Sequence, residues 1–172
     1  MKKCVLLIGL LLLVLGCADT HRVDRKDLSG VRLSPQDTIL IALPADGSYG
    51  EIKYTGSGRQ TAQIINAAFA KHTTGSSISN AVQTIGEASL AAREAGYKYL
   101  IYPTILHWED RATEWSGLPD RVEIKIEIVE VQPNYLLGSM IVIGKSGLFT
   151  FGGDHPQDLL PEPVGAFVSS LY

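Results

Sequence analysis

The apolar and polar positions along the chain fall into a few distinct patterns. Thr38-Ile39-Leu40-Ile41-Ala42-Leu43-Pro44 is a dense apolar run of strand length closed by a proline, as expected for a central strand buried on both faces. Ala45 to Gly58 is rich in Gly, Ser and Tyr and reads as a loop. From Arg59 to Lys71, Ala62, Ile65 and Phe69 share one helical face with Ile64 and Ala68 alongside, which predicts an amphipathic helix. A short strand is expected around Ser76 to Ser79. Thr84-Ile85-Gly86-Glu87 has the spacing of a capping box, so a second helix should begin after Thr84 and run to Ala95, with Gly96 as its left-handed stop.

Tyr97 to Trp108 is rich in aromatic and β-branched residues and predicts a strand in which Pro103 marks an edge or a bulge. In Arg121-Val122-Glu123-Ile124-Lys125-Ile126-Glu127-Ile128 apolar and charged side chains alternate strictly, the pattern of a sheet with one dry and one wet face. The phase of this alternation changes at Val129-Glu130-Val131. Gln132-Pro133-Asn134 then turns into Tyr135 to Ile143, which predicts an antiparallel hairpin. Val164, Phe167, Val168 and Leu171 follow helical spacing, and Pro161 and Pro163 sit where a first turn tolerates them. The expected fold is therefore α+β: a mixed sheet of four to five strands in the order β-α-β-α-β-β-β-α, with helices packed on it.

The amino terminus has a different character. Lys2 and Lys3 precede an uninterrupted apolar run from Val5 to Leu15, the pattern of a signal peptide. The run is about half of the roughly 20 residues a membrane-spanning helix needs. It ends in Val14-Leu15-Gly16-Cys17, which resembles the lipobox of bacterial lipoproteins. That resemblance implies a diacylglycerol on the Cys17 thiol, cleavage before Cys17 and acylation of the new amino group. Residues 1–16 are expected to be the signal, 17–37 the lipidated cysteine with a tether, and 38–172 a single periplasmic domain. Ala18 to Asp37 is polar and charged with no apolar period. As a coil it would reach roughly 25 Å, and about 70 Å fully drawn out.

Charge and cysteine content narrow the chemistry. With 45% hydrophobic and 19% charged residues, the chain is too apolar to be disordered. Removing the signal takes Lys2 and Lys3, leaving 13 basic against 18 acidic residues, a formal charge of −5. That balance argues against binding nucleic acid or anionic lipid by electrostatics. Cys4 leaves with the signal, so disulfides, thiolate catalysis and cysteine-ligated metals are excluded once Cys17 carries lipid. Three acyl chains, at about 0.8 kcal/mol per buried methylene, anchor the protein without help from its charge. Because Ala18 is not the aspartate that typically retains such lipoproteins at the inner membrane, the periplasmic face of the outer membrane is the expected address.

The order of elements from Thr38 to Tyr172 resembles small periplasmic α/β domains: those of lipoprotein activators of penicillin-binding proteins, the curli secretion lipoprotein and the amino-terminal domain of the Tol-Pal translocation protein. The lipobox, Ala-Gly-Tyr-Lys-Tyr-Leu-Ile at 95–101 and Trp-Glu-Asp-Arg at 108–111 also resemble a family of uncharacterised proteobacterial lipoproteins. The resemblance implies an address and a fold; it implies no activity and no functional residues.

The window from His107 to Asp120 holds both tryptophans, four carboxylates and an arginine. Trp and Arg are enriched at binding hot spots, which makes Trp108, Arg111 and Trp115 the candidate partner contacts; the alternative places Trp108 under the sheet. His107, Glu109 and Asp110 offer metal-ligand or acid/base chemistry, but strand alternation sends His107 and Glu109 one way and Trp108 and Asp110 the other. Gly152-Gly153-Asp154-His155-Pro156 has the composition of a turn. Gly56-Ser57-Gly58-Arg59 is a weak anion cradle against the simpler reading of a loop with an N-cap serine. No nucleophile elbow, phosphate loop or zinc-spaced histidine pair is present. The expectation is a non-enzymatic envelope lipoprotein that binds a protein partner, without metal or cofactor. A small-molecule or glycan-binding module and an unrecognised hydrolase are the rivals.

Overall fold

A computed structural model describes residues 19–26, 28, 30–111, 119–147 and 155–172. The elements in chain order are strands β1 (Thr20–Lys26), β2 (Ile39–Leu43), β3 (Ser48–Tyr49) and β4 (Ile52–Lys53), helix α1 (Ser57–Phe69), β5 (Ser76–Val82), α2 (Ile85–Glu94), β6 (Tyr99–Glu109), β7 (Arg121–Glu130), β8 (Tyr135–Lys145), a 3-10 turn at Pro156–Leu159 and α3 (Pro161–Ser169). Six strands make one mixed sheet in the order β1-β8-β7-β6-β2-β5, and β3 and β4 form a small separate ribbon. The fold is α+β as the sequence predicts, with a larger sheet than the four to five strands expected.

The additional strand comes from the segment read as a tether. Thr20–Lys26 pairs antiparallel with β8, from Thr20 opposite Lys145 to Lys26 opposite Ser139. Its signal is faint because an edge strand needs few inward apolar residues: only His21 and Val23 are half-buried, and the other five positions are exposed. Backbone pairing rather than side-chain burial holds it.

β2 lies parallel to both β5 and β6. Four of its five residues are buried, as its unbroken apolar run requires. α1 and α3 pack against each other and cover one sheet face, burying Ile41, Ile65, Phe69, Ile124, Ile126 and Phe167. α2 covers part of the other face, where Ala88 and Ala92 meet Leu40, Leu100 and Val129. Its start is the expected capping box: Thr84 accepts from the Glu87 N–H while the Glu87 side chain takes the Thr84 N–H.

This division of cover explains β7. Val122, Ile124, Ile126 and Ile128 are at most 1% exposed on the α1/α3 face, with Glu123, Lys125 and Glu127 half-buried on the other. Val129 and Val131 share the face of Lys125 and Glu127 but lie under α2. The change of phase in the sequence is thus not a twist of the strand: the second face changes from open to covered. Pro103 is opposite Ile126 on β7, beyond Ile101 where the pairing of β6 with β2 stops. There its missing N–H costs the β2 ladder nothing.

Candidate functional site

The most concentrated polar chemistry lies where β6 ends and β7 begins. Between Ile105 and His107 the register of β6 shifts by one residue, with Leu106 48% exposed. The bulge reverses which side chains face the core. Ile105 and Trp108 both point to the α1/α3 side, opposite Ile124 and Val122. Trp108 is 2% exposed. It is a core residue, not the contact residue expected of it, because the inserted residue turns its ring inward.

His107 and Glu109 share the opposite face. The Glu109 carboxylate is 3% exposed and receives the Arg111 guanidinium on one oxygen and His107 Nε2 at 3.3 Å on the other. A buried carboxylate is tolerable only with such partners. The Arg111 backbone N–H donates to Asp120 Oδ1 at 2.5 Å, and the Asp120 N–H donates to Ser146 Oγ at 2.9 Å. Burial pushes the Asp120 carboxyl above its usual range, opposed by the hydrogen bond from Arg111. Beside it His155 Nδ1 lies 3.3 Å from Asp110 Oδ1, and this hydrogen bond raises His155 above 6.5. The ends of β6, β7 and β8 and the 3-10 turn are thereby joined by side chains.

Sequence reasoning singled out Arg111, and the structure places it here with its guanidinium engaged by Glu109. It counted Asp120 as one carboxylate of the window without giving it a role and missed Ser146, although Asp120 stands directly before the alternating strand, where a short carboxylate can close a strand end. Cys17, Trp115 and Gly152-Gly153-Asp154 lie outside the described residues. Among the described residues no group of three or more His, Cys, Asp or Glu side chains is arranged to hold a metal ion. The glycine-rich start of α1 is occupied from within: the N-cap is Gly56, at φ 94°, rather than a serine, and Asp46 Oδ1 takes the Gly56 and Gly58 N–H groups at 3.1 and 3.0 Å.

A separate open groove of about 550 Å³ lies between β1 and α3, lined by Arg25, Arg32, Phe167 and Ser170. Arg25 donates to Ser170 Oγ at 3.2 Å and lies 5.7 Å from the Phe167 ring centroid.

Residues 31–171 match the model of a domain of unknown function, DUF4823. The chain belongs to this family. The uncharacterised family expected from the sequence is of this kind, and membership assigns no activity. No curated protein matches the chain. The fold is similar to that of the PelC dodecamer from Paraburkholderia phytofirmans, in two crystal forms. TM-scores are 0.62 and 0.61 at 15% and 14% identity, over 90% of this chain and 95% and 94% of that one. Weaker likenesses are to protein XCC0632 from Xanthomonas campestris, of the DUF330 family (TM-score 0.48, 12% identity, 82% of this chain and 88% of that one), and to lipoprotein GNA1162 from Neisseria meningitidis (TM-score 0.48, 12% identity, 79% and 95%). Among the described residues no helix is long and apolar enough to cross a membrane.

Proposed function

We propose that this DUF4823 protein is a lipid-anchored bacterial envelope lipoprotein, held through Cys17 on the periplasmic face of the outer membrane. Its domain is non-enzymatic and works by docking to protein, first of all to copies of itself. The observation that carries the docking reading is the part of the second sheet face that no helix covers among the described residues. Beyond the reach of α2, β8 presents Ile141 and Ile143, half-buried, beside the Lys125–Glu127 ion pair of 2.7 Å on β7. A half-covered apolar and charged face on a rigid sheet is suited to a protein surface. The dodecamer formed by PelC, whose fold is similar, supports self-assembly. The non-enzymatic reading is supported by the polar cluster, whose carboxylates are spent on neighbouring side chains and backbone groups. Trp115 belongs to the docking reading on sequence grounds alone.

Native mass spectrometry of the lipidated protein in detergent tests this. Oligomers that Ile141→Glu reduces to monomer, without lowering the thermal midpoint, are expected; a monomer at every concentration overturns self-docking. The mass of the mature amino terminus tests the anchor, which fails if the protein begins anywhere other than a lipidated Cys17. The groove with Arg25 and Arg32 favours a second reading, an anionic small-molecule site. Calorimetric titration with sugar phosphates tests it, and absence of heat at millimolar ligand sinks it.

A further inference from the structure

The carboxylate of Asp19 accepts the backbone N–H of Gly147 at 3.0 Å, and the next residue, Thr20, is already paired with Lys145. The chain is therefore fixed to the sheet two residues after Cys17. Two residues span at most about 7 Å, a fraction of the reach a free tether of residues 18–37 would allow. Asp19, from which covalent reach limits Cys17, sits at the end of the sheet where β8 finishes, β7 begins and β6 finishes.

Among the described residues, the charges at that end differ in burial. Glu109 and Asp120 are buried and engaged as described, Asp110 is half-buried beside His155, and the exposed Asp19 accepts from the Gly147 N–H. The basic groups turn outward. Arg121 and Lys145 are exposed and directly opposite one another in the β7–β8 register, and neither is in an ion pair among the described residues. Like charges in this relation repel and favour an anionic counterpart. Phosphate-bearing lipid headgroups supply one: held beside the anchor, this exposed pair and not the acidic balance of the whole domain is what lies within a Debye length of the surface.

We propose that the sheet end bearing Arg121, Lys145 and Gly147 rests against the headgroups of the membrane that holds Cys17, with the strands rising away from it. The proposal rests on the reading that Cys17 carries lipid. It makes β8 a fixed spacer: its eleven residues span roughly 35 Å, so the turn at Gln132 to Asn134 lies far from the bilayer.

The test uses the full lipidated chain in vesicles containing phospholipid with a nitroxide on its headgroup. A bimane fluorophore is placed on one introduced thiol at a time, at the exposed positions Lys145→Cys, Arg121→Cys, Lys26→Cys and Gln132→Cys. Quenching at 145 and 121 should exceed that at 132 by at least about three-fold, given the roughly 35 Å that a strand of this length sets between the two ends, and 26, which pairs with Ser139 about 20 Å along β8 from Lys145, should fall in between. Equal quenching at both ends, or stronger quenching at 132, overturns the proposal when mass spectrometry shows the lipid on Cys17. Unquenched emission at all four positions in that lipidated protein also overturns it, since the end would then be covered by protein. A mature chain lacking lipid sinks the anchoring reading instead, so the two failures are distinguishable.

Discussion

Gly47 lies against Trp108 so closely that a Cβ on Gly47 would fall 2.5 Å from the Trp108 Cβ and 2.9 Å from Ile105 Cγ2. The glycine lets the loop after β2 close over the bulged end of β6. Gly47→Ala should force the indole or the loop to shift and lower the urea midpoint. Trp108→Ala removes a fully packed ring and should cost about 3–5 kcal/mol. A cost below about 0.5 kcal/mol at Trp108, the scale of an ordinary surface site, would show that its ring is not in the core.

Adjacent residues of β7 should separate sharply. Ile126 is wholly buried, and Ile126→Ala should cost about 2–5 kcal/mol. Lys125 is half-buried on the uncovered face and pairs with Glu127, so Lys125→Ala should change stability by no more than about 1 kcal/mol. Chemical unfolding of the two variants checks this, and equal losses contradict the assignment of faces.

The Glu109 carboxylate depends on Arg111. Arg111→Met leaves a buried charge whose remaining partner among the described residues is His107 and should cost about 3–5 kcal/mol, as for broken buried pairs. Glu109→Gln combined with Arg111→Met should recover much of that loss. A double-mutant cycle in urea measures the coupling, and additive losses would mean that the pair does not interact.

Two groups at the same end make stability depend on pH. The hydrogen bond to Asp110 holds His155 above its ordinary 6.5, so the native state binds the extra proton. That stabilisation is fully present below pH 6.5 and is lost as pH rises through the raised value. Asp120, raised from 3.8 by burial, acts with the same sign at lower pH: its contribution is present below 3.8 and lost as pH rises through its folded value. The thermal-midpoint difference between wild type and His155→Gln should therefore shrink from pH 6 to above neutrality. A difference constant with pH would show that the pair does not form in solution.

What the sequence determined on its own is what depends on local period and local chemistry. Ile124, Ile126 and Ile128 alternate with charges because successive strand residues point to opposite faces, so the buried set follows from spacing alone. Thr84 and Glu87 are close enough in sequence to cap α2 whatever packs around it, and Val164, Phe167 and Val168 make one buried helical stripe, with Leu171 buried in the turn just past Ser169. Tertiary structure decided whatever required a partner distant in the chain. Thr20–Lys26 becomes a strand because β8, more than a hundred residues later, supplies its backbone partners. Asp46 occupies the start of α1 across an intervening ribbon, a placement no spacing rule supplies. Trp108 turns inward because one residue of β6 is unmatched on β7, and a single inserted residue reverses every side chain beyond it. The polar cluster was legible as composition; its pairing, with Asp120 under Arg111 and Asp110 beside His155, was settled where three strand ends meet.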